Sequence, residues 1–217
     1  LVSMLVARVS IMHDQVIRTA AVTPERWSDL MSLFGDRGAC GGCWCMVWRL
    51  KRREFEAGKG AANRERLRSL VANGEEPGIL AYRNDEVVGW CAIARKEEYV
   101  ALESSRVLKP PDGARSYVIS CFFVAKGARG QGVSGALIRG AVDWAQRRGA
   151  RVLLGFPTDP GAGGAAPPPF VWTGLLRPFL QAGFHVVVRR SSKRPIVRLD
   201  LPPPELGEPN RQSVGDA

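Results

Sequence analysis

The run QVIRTA, Gln15 to Ala20, alternates polar and apolar positions and carries β-branched residues, which predicts a first strand. Thr23-Pro24 then offers an N-cap and a first-turn proline, and Trp27, Leu30, Met31 and Phe34 recur at helical spacing. Gly35 and Gly38 end that helix. The charged stretch LKRREFEAGKG reads as loop. A second helix is expected over Asn63 to Ala72, with Leu67, Leu70 and Val71 on one face and Arg64, Arg66 and Arg68 outward.

The period then changes. Two apolar runs, Ile79 to Arg83 and Val87 to Arg95, flank the turn signal Asn84-Asp85 and predict a β-hairpin. Ser116 to Val124, SYVISCFFV, is apolar on both faces and reads as a central strand. Val133 to Arg148 follows as a helix with Val133, Leu137, Ala141, Trp144 and Ala145 on its apolar stripe, and RVLLGF is the next strand. The proline- and glycine-rich segment Pro157 to Pro169 excludes regular structure. A helix over Val171 to Gln181, capped by Gly183, leads into a final hairpin, FHVVVRR and PIVRLDL. The order βαα–ββ–β–α–β–α–ββ describes one α/β domain over residues 15–201. Residues 1–14 form an N-terminal extension, and the polar residues 202–217 a tail expected to be disordered.

Length adds that 217 residues bury one good-sized core with little room for a second. The net charge of +10 suits an anionic partner, but it is spread from Arg8 to Arg211, so a small anion fits as well as a nucleic acid. The apolar start LVSMLVARVSIM has no basic leader and is too short to span a bilayer, and Met4 or Met12 are alternative first residues. No later stretch reaches spanning length. Five cysteines without a regular framework favour reduced thiols, and together these features predict a soluble, cytoplasmic chain without a membrane partner.

The strand–loop–helix junction SCFFVAKGARGQGVSGALIRG is the most informative chemistry in the chain. Its glycines let backbone N–H groups converge on an anion, and a helix N-terminus adds unpaired donors, so a pyrophosphate is the natural guest. The loop lacks both the Walker Gly-Lys-Ser/Thr and the Rossmann glycine spacing. It resembles the acyl-CoA loop of the GNAT acetyltransferase superfamily, Gln/Arg-x-x-Gly-x-Gly/Ala, which falls on Arg129, Gly132 and Ser134. FLQAGFHVVV is similar to the family's C-terminal helix and Gly-Phe turn, and VIRTA to its first strand. The resemblance implies a mixed, mostly antiparallel twisted sheet of about seven strands with flanking helices.

It also implies an acetyl-CoA-dependent N-acetyltransferase acting on a small-molecule amine, as a monomer or homodimer. The pantetheine arm would lie along Phe122, Phe123 and Val124, and the pyrophosphate on Arg129, Gly130, Gln131, Gly132, Val133, Ser134 and Gly135. Many members place a tyrosine general acid four residues before the Gly-Phe pair; Phe179 stands there and has no proton to give. Tyr117, Cys121 or a water is the alternative donor, unless the thiolate leaves without one, and Glu103 or Glu97 is the candidate base. His13 and His185, the two histidines, are candidate proton carriers by residue type but sit outside the expected site. Phe156-Pro157 replaces an asparagine that the family often has.

The segment GACGGCWCMVWR holds Cys40, Cys43 and Cys45 within six positions. Cys40-x-x-Cys43 is one zinc-type pair and Cys45 a third thiolate, yet no second cluster follows, so no metal is expected; zinc, if held, falls on these three. The segment is similar to a Cys-x-x-Cys-Trp-Cys-x-x-Trp-Arg stretch in an uncharacterised GNAT subgroup, where its place in the fold is the acceptor side. Trp44, Trp48, Arg49, Trp90 and Tyr99 are accordingly expected to wall an acceptor pocket, with Arg49 on a carboxylate or phosphate. Tryptophans that merely fill the core are the competing reading. Two other functions compete: an inactive CoA-binding or zinc/thiol-sensing module, suggested by Phe179 and the thiols, and a basic nucleic-acid binder, for which no recognition motif is present.

Overall fold

The computed structural model describes residues 16–111, 115–161 and 171–203. The N-terminal extension with His13, most of the proline-rich loop and the C-terminal tail lie outside the described residues. Among the described residues, seven strands form one sheet in the order β1-β2-β3-β4-β5-β7-β6. They are β1 Arg18–Ala21, β2 Gly78–Arg83, β3 Glu86–Arg95, β4 Tyr117–Val124, β5 Val152–Gly155, β6 His185–Arg189 and β7 Pro195–Asp200. Every pairing is antiparallel except that of β4 with β5. The helices are α1 Trp27–Phe34, α2 Arg52–Ala57, α3 Ala61–Ala72, α4 Val100–Glu103, α5 Val133–Arg147 and α6 Leu176–Gln181.

Period-two alternation explains why both faces of this sheet are covered. Ile79 and Ala81 of β2 and Cys91 and Ile93 of β3 face a core built with α5 and α6. Their neighbours Leu80, Tyr82, Trp90 and Ala92 face the opposite core, with Leu30 and Phe34 of α1 and Leu67 and Val71 of α3. A third cluster, around Tyr99, Val118, Leu154 and Phe156, closes the β4–β5 region.

Two local expectations change. Residues 52–57, read as loop, are the short helix α2. A single apolar residue, Phe55, anchors it, and one buried position gives no periodicity to read. The last helix begins at Leu176 rather than Val171, and residues 171–175 are a non-helical strap with a turn at Trp172-Thr173, closed by Gly174 N–H on the Val171 carbonyl at 2.8 Å. A bridge between Thr158 and Leu175 holds that strap, with Thr158 N–H on the Gly174 carbonyl at 2.8 Å and Leu176 N–H on the Thr158 carbonyl at 3.0 Å.

Candidate active site

The centre of the sheet comes apart where the chemistry is expected. The β4–β5 pairing ends at Ile119↔Gly155, while β4 continues to Val124. Beside that point the β3–β4 register skips Ser120: Ile93 faces Ile119 and Ala92 faces Cys121. An extra residue in one strand bends it and turns its backbone groups away from the ladder. The strap fills part of the resulting slot, with Phe122 N–H donating to the Trp172 carbonyl at 2.6 Å.

Beyond β4 the glycine loop closes into a helix start. Gly130 and Gly132 lie at φ 74° and 78°, a region that excludes Cβ-bearing residues except at a cost, and no atom lies within 4 Å of where a Cβ would stand on either. Gly132 is the N-cap of the fifteen-residue α5, and no side-chain cap bonds to the first N–H groups of that helix. The Arg129 guanidinium folds back onto the Val124 carbonyl at 3.1 Å, and Gln131 is tied to the Gly127 carbonyl and to Arg83. These donors and this clearance fit a pyrophosphate.

On the opposite face a cavity of about 690 Å³ lies between the segment around Arg49, helix α3 and Glu98. Arg49 is the one expected pocket residue that lines it. Its side chain is 8% exposed, its Nη1 donates to Glu98 Oε2 at 2.7 Å, and its guanidinium lies over the Tyr99 ring, 5.3 Å from the centroid. Glu65 and Arg66 of α3 add one charge of each sign. Trp44, Trp90 and Tyr99 are buried instead. Trp44 packs on Phe34 and Trp27, and Trp90 on Phe34. Trp48 is half-buried and stacks on Trp172 of the strap, 5.6 Å between ring centroids.

The other expected site residues disperse. Tyr117 opens β4 on the pairing side of the bulge, where its hydroxyl accepts from Arg95 Nε at 3.4 Å. Glu103, on α4, pairs with Lys109 near the surface, Glu97 is exposed, and His185 is exposed on the edge strand β6. Phe179 is fully buried against Phe122 and Phe184. Cys121 sits beside the bulge, buried, in contact with Cys45 at 3.4 Å between sulfurs. Among the described residues no group of three or more His, Cys, Asp and Glu side chains is arranged to hold a metal ion.

Trp48 Nε1 is buried without a hydrogen-bond partner, and the buried hydroxyls of Tyr99 and Ser120 lie near each other without forming a hydrogen bond of ordinary geometry. Buried groups are nearly always paired, so unpaired ones concentrate at sites that bind something. Burial pushes the Tyr99 phenol well above its ordinary range, so it stays protonated. Glu98, which pairs with Arg49, is not separable in sequence from the neighbouring carboxylates Glu97 and Glu103. Only the ordering of residues 96–103 against Arg49 distinguishes them.

Residues 44–162, more than half of the chain, match the acetyltransferase (GNAT) family. An acetyltransferase of that family from Streptococcus agalactiae superposes with a TM-score of 0.51 at 11% identity, covering 86% of this chain and 96% of that one. An apo agmatine N-acetyltransferase variant superposes with a TM-score of 0.51 at 13% identity, covering 85% and 99%. At such identities the likeness is one of fold. No curated protein matches the chain. Among the described residues no helix is long and apolar enough to cross a membrane. With its split β4–β5 edge, its bulge and its glycine-bounded helix start, the chain belongs to the GNAT acetyltransferase family.

Proposed function

We propose that this protein transfers an acetyl group from acetyl-CoA to the amine of a small molecule that carries an anionic group. The observation that carries the reading is the parting of β4 from β5 next to an uncapped start of α5. The N–H groups of Val133, Ser134 and Gly135 hold the pyrophosphate, and the backbone of Phe122 to Val124 receives the pantetheine arm. Acetyl-CoA supplies the acyl group as a thioester, and the chain's residues align the amine and manage its protons.

Phe122 N–H is engaged with the strap, so binding of the arm exchanges the Trp172 carbonyl for a ligand acceptor. The exchange moves Trp172 against Trp48. Titration with CoA therefore changes the tryptophan emission, and the Trp172→Phe variant loses most of that change while still binding CoA. An unchanged signal in a wild-type protein shown by calorimetry to bind CoA rules the exchange out.

The acceptor enters from the face of the 690 Å³ cavity. Arg49 uses one of its five N–H groups on Glu98, leaving donors for a carboxylate or phosphate of the acceptor. Glu98 is the carboxylate placed to take up the amine's proton. For the departing thiolate, Tyr82 already donates to Asp29 and Tyr117 stands at the far end of β4, so Tyr99, next to the bulge residue Ser120, is the phenol we assign to donate.

Acetyl-CoA-dependent thiol release is measured over amines with and without a carboxylate. Arg49→Gln lowers kcat/KM for carboxylate-bearing amines by roughly 10- to 100-fold and leaves simple amines nearly unaffected. Equal losses for both kinds of amine place Arg49 outside the acceptor site. The buried Phe179 favours a second reading, a CoA-binding module without turnover, and CoA binding with no thiol release across the panel supports that reading instead.

A further inference from the structure

The GACGGCWCMVWR segment is unabsorbed by the transferase reading, and its conformation is costly. Ala39, Trp44 and Cys45 all have positive φ, at 66°, 45° and 53°. Side-chain-bearing residues adopt that region at roughly 1–2 kcal/mol each, and such strain concentrates where geometry is put to use. What the turn achieves is the placement of one sulfur. Cys45 Sγ lies 3.4 Å from Cys121 Sγ, and Trp90 Nε1–H donates to Cys45 Sγ at 3.2 Å. Cys121 is next to the extra residue of the β4 bulge, so two thiols 76 positions apart meet at the most irregular point of the sheet.

We infer that Cys45 and Cys121 form an oxidisable dithiol, a modification site that takes hydrogen peroxide or an organic hydroperoxide and closes to a disulfide. A disulfide spans about 2.05 Å, so the sulfurs approach by about 1.4 Å from their 3.4 Å contact. Both thiols are buried, and the route in is Cys43, which is half-buried and interacts directly with Cys45. Hydrogen bonding and burial hold the Cys43 and Cys45 thiols in their protonated forms, which makes the reaction slow at neutral pH.

The steps balance. Peroxide transfers one oxygen to the Cys43 sulfur, giving a sulfenic acid and one water. Cys45 attacks that sulfur and expels the second water, forming a Cys43–Cys45 disulfide. Cys121 then attacks the Cys45 sulfur and releases Cys43 as a thiol. In total two thiols lose two protons and two electrons, and one hydrogen peroxide becomes two waters, or one organic hydroperoxide becomes one alcohol and one water. The product ties the strained turn, and with it Trp48 and Arg49, to β4 at the bulge.

The test uses the full chain and needs no turnover, so its outcome is independent of the acetyltransferase reading. Protein is treated with equimolar hydrogen peroxide, its remaining thiols are alkylated after unfolding, and it is digested without reductant for mass spectrometry. The expected result is a fall from five free thiols by two, a single peptide pair joining Cys45 to Cys121, and full recovery with dithiothreitol. Cys43→Ser forms the same pair at least about fivefold more slowly, because the accessible entry thiol is gone. Cys121→Ser forms no such pair, and circular dichroism on each variant establishes that it is folded. Retention of all five thiols overturns the inference, as does a Cys40–Cys43 link, a link between two chains, or closure in Cys43→Ser at the wild-type rate.

Discussion

Replacing Gly132 with tryptophan abolishes measurable CoA binding while the domain stays folded. The two halves of that result have separate causes. Gly132 sits at φ 78°, so any side chain there pays a backbone cost of roughly 1–2 kcal/mol. A Cβ there meets nothing within 4 Å, so the side chain leaves the backbone without a clash, and the expected stability loss stays near that figure. The ring does occupy the space in front of the first N–H groups of α5. Charge-assisted hydrogen bonds are worth roughly 1.5–3 kcal/mol each, and losing two of them lowers affinity by roughly 10²- to 10⁴-fold. Calorimetric titration of CoA, with thermal unfolding as the control, reads both quantities. An affinity within threefold of wild type would falsify the assignment of this loop to the pyrophosphate. Gly130→Ala is a useful companion: it carries similar backbone strain at φ 74° but adds only a methyl group, and so separates strain from obstruction.

The loop was legible because a strand, a glycine run and a helix in direct succession leave few alternatives for the backbone. The same holds for the hairpin of β2 and β3, whose alternation and Asn84-Asp85 turn agree with the observed register. The turn residues lie at φ 49° and 62°, as a tight hairpin of this kind requires. What the sequence does not display is the use made of aromatic residues. Trp44 and Trp48 are four apart and read as one wall, yet positive φ at Trp44 and Cys45 breaks any common face, sending Trp44 into the core and Trp48 onto the strap. Nor does local pattern reveal that Trp172, beyond a proline-rich loop, returns to bond with β4. Its carbonyl reaches Phe122 only because Gly174, at φ 85°, lets the strap turn against the Phe122 and Phe179 rings. The cavity proposed for the acceptor is lined from three separated stretches, around residues 49, 66 and 98, and residue 172 reaches only the neighbouring Trp48. Long-range packing of that kind leaves no periodic trace.

Trp44→Ala removes about 3–5 kcal/mol of stability, the largest loss expected from any single change in the acceptor-side turn. The indole is 1% exposed, stacked on Trp27 at 6.4 Å and tilted against Phe34 at 5.5 Å between ring centroids. Gly38 lies so close that a Cβ there would stand 2.2 Å from Trp44 Nε1. The ring is therefore enclosed by backbone as well as by side chains, and the turn cannot collapse into the space it leaves. Alanine relieves none of the positive-φ strain at position 44, so nothing offsets the lost burial. For a domain of this size the loss corresponds to a fall in Tm of roughly 6–20 °C. The consequence reaches the chemistry, because the same turn presses Cys45 onto Cys121, sets Trp48 against the strap and carries Arg49 to the cavity. At a temperature where the variant is still folded, CoA affinity is unchanged, since the glycine loop lies at the other face, while KM for the amine rises. Denaturant unfolding gives the first quantity and initial rates give the second. A Tm within about 2 °C of wild type places Trp44 outside the core, and an equal loss of CoA affinity removes the separation between the two faces on which the site depends.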